Sequence, residues 1–296
     1  MTDFNYTEIK SGISQLPTIG SIAWWTIQDV NLARDTLIEL FNRLNLPGQW
    51  LPAEIKPFDA FKKAINRVEP KSKFMFRPIL NDPNKVVYGV VKEEKRTQEE
   101  TLNYEVLNKI TLLPFSKELF IENDSFPKGI IEGYYEHFKT HYVSIDIRKM
   151  LLNVIKDHLF STTIRESGGV YFVAKKFNEW LEKLEALIPQ ISVNSRLYSL
   201  GILDTEKERE IVYECFKSEI EVEIATIYKE LTEMDIQDTQ QRTLTNRRNT
   251  LSLLERKVLL YENVLGQTGV MTEGLHQGIK LCRQLIDNAM PTRIIY

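Results

Sequence analysis

Two histidines four residues apart, His137 and His141, with Glu136 just before the first, come nearest in this sequence to a metal-binding pattern. On a helix that spacing puts both imidazoles on one face, where they can share a divalent ion if a third ligand arrives from elsewhere, His158 or Asp146 being the candidates. The zinc-protease pattern needs its glutamate after the first histidine, and here it stands before. Such a pair more often packs than coordinates, so no metal and no cofactor is expected. Gly168-Gly169 lacks the lysine and the strand–loop–helix setting of a phosphate cradle and reads, with Ser167, as a tight turn. Cys215 and Cys282 sit in no ligand or redox spacing. No catalytic residue is assigned, and the chain reads as non-enzymatic.

Two other groups could make contacts rather than reactions. Over residues 145–173 a helix is followed at once by a hairpin, the order of recognition helix and wing in winged-helix proteins. Arg148, Lys149 and Lys156 on that helix, Arg165 on the hairpin, and Lys175 and Lys176 after it could meet phosphates, which position a protein without reading bases. Asp146, Asp157 and Glu166 dilute the patch, so nucleic-acid binding is the alternative reading. The second group is a set of interface candidates: Trp24 and Trp25, neighbours in a strand that must face opposite ways, and Arg247 and Arg248 on a charged helix.

The elements that hold these residues follow from periodicity. Residues 21–27 are β-branched and aromatic and read as a strand; Asp29 is placed to cap a helix carrying Leu32, Leu37, Leu40, Phe41 and Leu44, ended at Pro47-Gly48. Pro57 opens a second helix with Phe58, Phe61, Ala64 and Ile65 on one face. Residues 73–80, 86–91, 102–113 and 119–122 then read as strands of an antiparallel meander, Pro78 pointing to an edge or a bulge, with helices on one face. Residues 128–160 return to helical spacing, with Ser144 as a cap, and 161–173 form the hairpin. A helix through Trp180 and Leu184 is expected to stop at Pro189.

Residues 204–265 give the clearest pattern. Tyr213, Phe216, Ile220, Ile224, Ile227, Leu231 and Met234 recur every three or four positions, and Leu244, Leu251, Leu254, Val258, Tyr261 and Leu265 do so again after a polar break at 237–241. Two antiparallel coiled-coil helices follow, the first rich in glutamate and the second in arginine and lysine.

Trp24-Trp25-Thr26, Leu51-Pro52, the run from Pro57 through Phe58-Asp59-Ala60-Phe61-Lys62-Lys63-Ala64, and Ser167-Gly168-Gly169-Val170-Tyr171-Phe172-Val173 resemble the blocks of an uncharacterised domain-of-unknown-function family found in bacteria, haloarchaea and their viruses. Ala174 stands where that family usually has proline. The resemblance implies no reaction; it suggests a role in mobile elements or host–virus conflict.

The whole reads as an α+β protein: an α+β domain at 1–125, a helical segment with a β-hairpin at 126–200, and a helical hairpin with a C-terminal helix at 201–296. A net charge of −3 gives no bulk attraction to nucleic acid. No apolar run approaches a membrane span and no apolar segment heads the chain, so the expected location is the cytoplasm without membrane contact. The function expected is that of an interaction or scaffold protein, with a protein partner or itself as homo-oligomer.

Overall fold

The computed structural model describes residues 6–14, 16–69, 74–96, 101–123, 128–165, 168–233, 241–266 and 271–289. The fold is α+β, and its contacts fall into two compact units, neither continuous in sequence. One comprises Val30–Leu40 and Leu51–Ile147; the other comprises Met1–Asp29, Phe41–Trp50 and Arg148–Tyr296. The three consecutive segments expected above cut the chain differently, because strand pairing across long sequence separations leaves no local mark.

The first unit is the meander. Strands β3 (Phe74–Asp82), β4 (Lys85–Arg96), β5 (Thr101–Leu113) and β6 (Glu118–Ile121) pair antiparallel in chain order. Pro78 does lie on an edge strand, beside a register shift between Pro78 and Leu80, where a missing N–H costs the ladder least. Helices α3 (Pro57–Val68) and α4 (Lys128–Thr140) put Phe61, Ala64, Ile65, Ile131 and Tyr135 into one core with Val86, Val90, Ile110 and Leu112. Pro57 occupies the first turn of α3, where its lack of an N–H is harmless. A small ribbon, β2 (Asn31–Ala33) with β7 (His141–Val143), completes the unit.

That ribbon corrects two capping expectations. Asp29 sits at φ 51° before β2, and helix α2 (Arg34–Arg43) starts only after the strand, so Asp29 is no cap. Ser144 opens helix α5 (Ser144–Asn153), but its Oγ accepts the Val30 N–H at 3.2 Å. The Asp146 carboxylate, two residues on, accepts the Val143 N–H at 2.9 Å in the manner of a capping box.

In the second unit β1 (Thr18–Thr26) lies between β10 (Arg196–Leu203) and β9 (Tyr171–Ala174), with β8 (Thr162–Thr163) beyond β9. All four residues of β9 are buried. The expected hairpin is therefore half of a four-stranded sheet, and β9 is an inner strand rather than part of a free wing. Gly20 is required here: a Cβ would stand 2.3 Å from the Val173 carbonyl oxygen. Helix α1 (Tyr6–Ser14) packs on β10, and helix α6 (Asn178–Ile191) runs past Pro189 instead of stopping, because Ile188 and Ile191 are buried in the last turn.

Helices α7 (Glu206–Glu233), α8 (Gln241–Leu265) and α9 (Glu273–Ala289) complete the unit. With 28 residues, α7 is about 42 Å long. The stripes read from the sequence are buried, Ile224 only partly; Met234 and the break at 237–240 lie outside the described residues. The C-terminal helix packs against both α7 and α8, adding Leu275, Ile279, Cys282 and Ile286 to a shared core, so the hairpin is two-thirds of a three-helix bundle. The same core takes in Ile19, Phe172 and Ala174 from the sheet, and Phe216 stacks on Tyr261 at 4.5 Å. Among the described residues no helix is long and apolar enough to cross a membrane.

Candidate functional site

The sequence candidates land in separate places. His137 closes α4 while His141 has already entered β7, and their rings stack at 4.1 Å. His137 Nε2 lies 2.7 Å from Asn31 Oδ1, and His141 Nδ1 lies 2.9 Å from Thr140 Oγ1. Burial, with the neighbouring His141 charge, lowers the His137 pKa below the ordinary value. Asp146, the supposed third ligand, is held by Lys63 at 2.6 Å, and His158 packs on the Trp50 ring. Among the described residues no cluster of three or more His, Cys, Asp or Glu could hold a metal.

The six cations are divided as well. Arg148 donates to the Ile27 carbonyl; Lys156 lies 3.7 Å from Glu219 and 5.9 Å from the Tyr171 ring; Lys176 sits over the Phe177 ring. Lys149 and Arg165 are exposed, and Lys175 lines a cavity. Trp24 and Trp25 do face opposite ways, but each is covered: Trp24 stacks on Tyr198 at 5.5 Å and Trp25 on Tyr171 at 5.2 Å. Arg247 pairs with Glu230 at 2.6 Å and Arg248 with Asp287, so both arginines bind helices of their own bundle.

What the sequence reading missed is a buried ion network where α7, α8 and β8 meet. The Glu219 carboxylate accepts the Thr162 hydroxyl and the Thr163 N–H at 2.9 Å, and faces Lys257 Nζ at 3.2 Å. Burial raises the Glu219 pKa, but Lys257 and the two threonine donors outweigh it and hold the carboxyl below the usual range. Burial depresses the Lys257 pKa, with Glu219 opposing. One turn along α7, Glu223 is pushed up by burial, with Lys257 opposing. Next to Thr162, the buried Ser161 Oγ has no hydrogen-bond partner among the described residues. A π-turn at Val154–His158, a deformation frequent at functional sites, carries Lys156 to the network. The signal was present: Lys257 stands three residues after Leu254 and Glu219 three after Phe216, on the inner stripes, yet charge alone suggested a solvated face.

The bundle also carries an open groove between α7 and α9, about 330 Å³ in volume, lined chiefly by Ile224, Ala225, Tyr228, Gly274, Gly278 and Leu281. Gly278 is needed for the close approach of the helices, since a Cβ there would stand 2.9 Å from Ile224 Cγ2. The lining is mostly apolar, Glu221 being its charged member. A groove of this kind can receive side chains.

Comparison with known proteins gives one match. Neither the curated proteins nor the solved structures include one that matches this chain. The profile of a family of unknown function, DUF6744, matches residues 18–289, from β1 through α9, and the chain belongs to that family.

Proposed function

We propose that the protein works without catalysis, as an interaction module that associates with a second copy of itself through the groove between α7 and α9. The observation that carries this reading is the mixture of small-residue hollows and exposed apolar side chains on that surface. Gly274, Gly278 and Ala225 leave hollows, and beside them stand exposed apolar knobs: Tyr228 at 42 %, Leu281 at 46 % and, one turn before Ala225, Val222 at 64 %. A twofold contact must offer the same patch from both partners, and a surface holding both hollows and knobs meets that demand. Glu221 on α7, exposed, is the charged member of that surface.

A role in a mobile element or a host–virus conflict system, suggested by the family blocks, suits a scaffold of this kind. The nucleic-acid alternative has less support, since Arg148 and Lys156 are taken up by contacts within their own unit.

Sedimentation velocity of the full chain across the micromolar range tests the reading. The expected result is a dimer, converted to monomer by Ala225→Glu with Leu281→Glu, both exposed positions, with the melting midpoint unchanged. A monomer at every concentration, or a dimer indifferent to those changes, overturns it. Nanomolar, salt-sensitive nucleic-acid binding lost on replacing Arg148, Lys149 and Arg165 by glutamate would favour the alternative instead.

A further inference from the structure

A second site lies on the sheet, apart from the groove. A cavity of about 210 Å³ sits between α1, strands β1 and β10, and the first turns of α6. Its lid is α1, which comes down onto β10 at Gly201, where a Cβ would meet Ile13 Cγ2 at 2.9 Å. The lid is pinned at its first residue and at its middle. The Tyr6 hydroxyl donates to the Ser199 carbonyl at 2.6 Å and accepts the Ser199 N–H at 2.8 Å, while Lys10 pairs with Glu185.

The walls are polar where a sheet face under a helix is ordinarily apolar. Ser21 and Ser199, from neighbouring strands, are more than nine-tenths buried and both line the space. Ser21 Oγ donates to Asn178 Oδ1 at 3.3 Å, and Lys10 Nζ donates to Ser199 Oγ at 3.1 Å. These bonds leave the Asn178 amide protons and the Ser199 hydroxyl proton for a guest. Two further lining groups carry opposite charge, Lys175 and Glu182; neither makes a close ion pair among the described residues, although Lys175 lies near enough to Asp204 to lower that carboxyl's pKa.

We infer that this cavity binds a small zwitterion of α-amino-acid size, its carboxylate toward Lys175, Asn178 and Ser199 and its ammonium toward Glu182. A lone anion gives the Glu182 carboxylate no counter-charge within the cavity, and a lone amine gives Lys175 none there. At the roughly 30 Å³ that a water occupies in the liquid, the volume admits about seven non-hydrogen atoms, the size of a small amino acid. Leu16 and Leu181 supply apolar wall for its side chain.

Calorimetric titration of the full chain with the common amino acids one by one, alongside acetate, inorganic phosphate and ethylamine, tests this. The expected result is saturable binding of at least one small amino acid, with acetate and ethylamine far weaker. Lys175→Gln and Glu182→Gln each remove one charge-assisted contact and should weaken that binding roughly tenfold or more. Both side chains are exposed, so the ligand-free melting midpoint should stay put. Binding of phosphate or acetate alone, indifferent to Glu182→Gln, overturns the zwitterion assignment; binding by none of the probes overturns the site.

Discussion

Among the described residues, replacing Glu219 by leucine removes the one carboxylate in hydrogen-bonding distance of Lys257, whose side chain is 9 % exposed against 19 % for Glu219. With both partners this deep, solvent screening does little to discount the loss. Breaking such a pair from one side costs up to about 3–5 kcal/mol, because the Lys257 charge remains buried with only the more distant Glu223 carboxyl to answer it. The Thr163 N–H, which Glu219 accepts at 2.9 Å, is also orphaned, at about 1–3 kcal/mol if water cannot reach it. Glu219→Leu with Lys257→Met takes away both charges and should recover most of the loss, leaving about the cost of the orphaned amide, since an ion pair exchanged for well-packed apolar groups is often neutral. Urea unfolding followed by tryptophan fluorescence measures this cleanly, because all four tryptophans, at 24, 25, 50 and 180, belong to the unit that holds the network. A single-mutant loss under about 1 kcal/mol, or a double mutant as unstable as the two singles added, would refute the reasoning. The pH dependence has a definite sign. The folded pKa of Glu219 is depressed, so its contribution is present above the ordinary glutamate value of about 4.3 and is lost as pH falls through the folded value. Lost acid sensitivity in Glu219→Gln is the matching observation.

Glu223 has the opposite sign: its folded pKa is raised by burial, so its ionised form weakens the fold as pH climbs through that value, and Glu223→Gln should raise the urea midpoint at neutral pH while changing it little near pH 4. Gly20→Ala should drive a methyl onto the Val173 carbonyl in the middle of the sheet, a loss of about 3 kcal/mol or more read by the same fluorescence transition; wild-type stability would mean that β1 and β9 do not pair in this register.

Much of the fold was legible because it is periodic. The meander strands are separated by turn residues and alternate, and α3, α7 and α8 repeat their apolar positions every three or four residues, so burial follows from spacing alone. The parts that were not legible depend on distant partners. The run Arg196-Leu197-Tyr198-Ser199-Leu200-Gly201-Ile202-Leu203 shows no clean alternation, since both of its faces are covered in part, and β10 exists because β1 pairs with it. Asp29 looked like a cap because its side chain suits one; the pairing of β2 with β7 overrode that local preference. At the candidate sites, Glu219 and Lys257 were placed at the surface by residue type although their position on the stripes put them inside. The hollows at Gly274 and Gly278 have no meaning until α7 lies against them.

The chain's excursion between Val30 and Ile147 has a consequence for synthesis on the ribosome. At about 5–20 residues per second, roughly seven to thirty seconds separate the emergence of Thr26 from that of Tyr171, the first residue of a neighbouring strand. The meander unit can complete itself within that interval, because everything it needs has been made by Ile147. During the same interval β1, with Ile19, Ala23 and Trp24, has emerged with neither β9 nor β10 to cover its two edges. A nascent strand in that condition is a natural client for holding chaperones and a natural seed for aggregation at high expression. Slowing translation before codon 171 should therefore lower soluble yield, whereas the same slowing after the last helix should not.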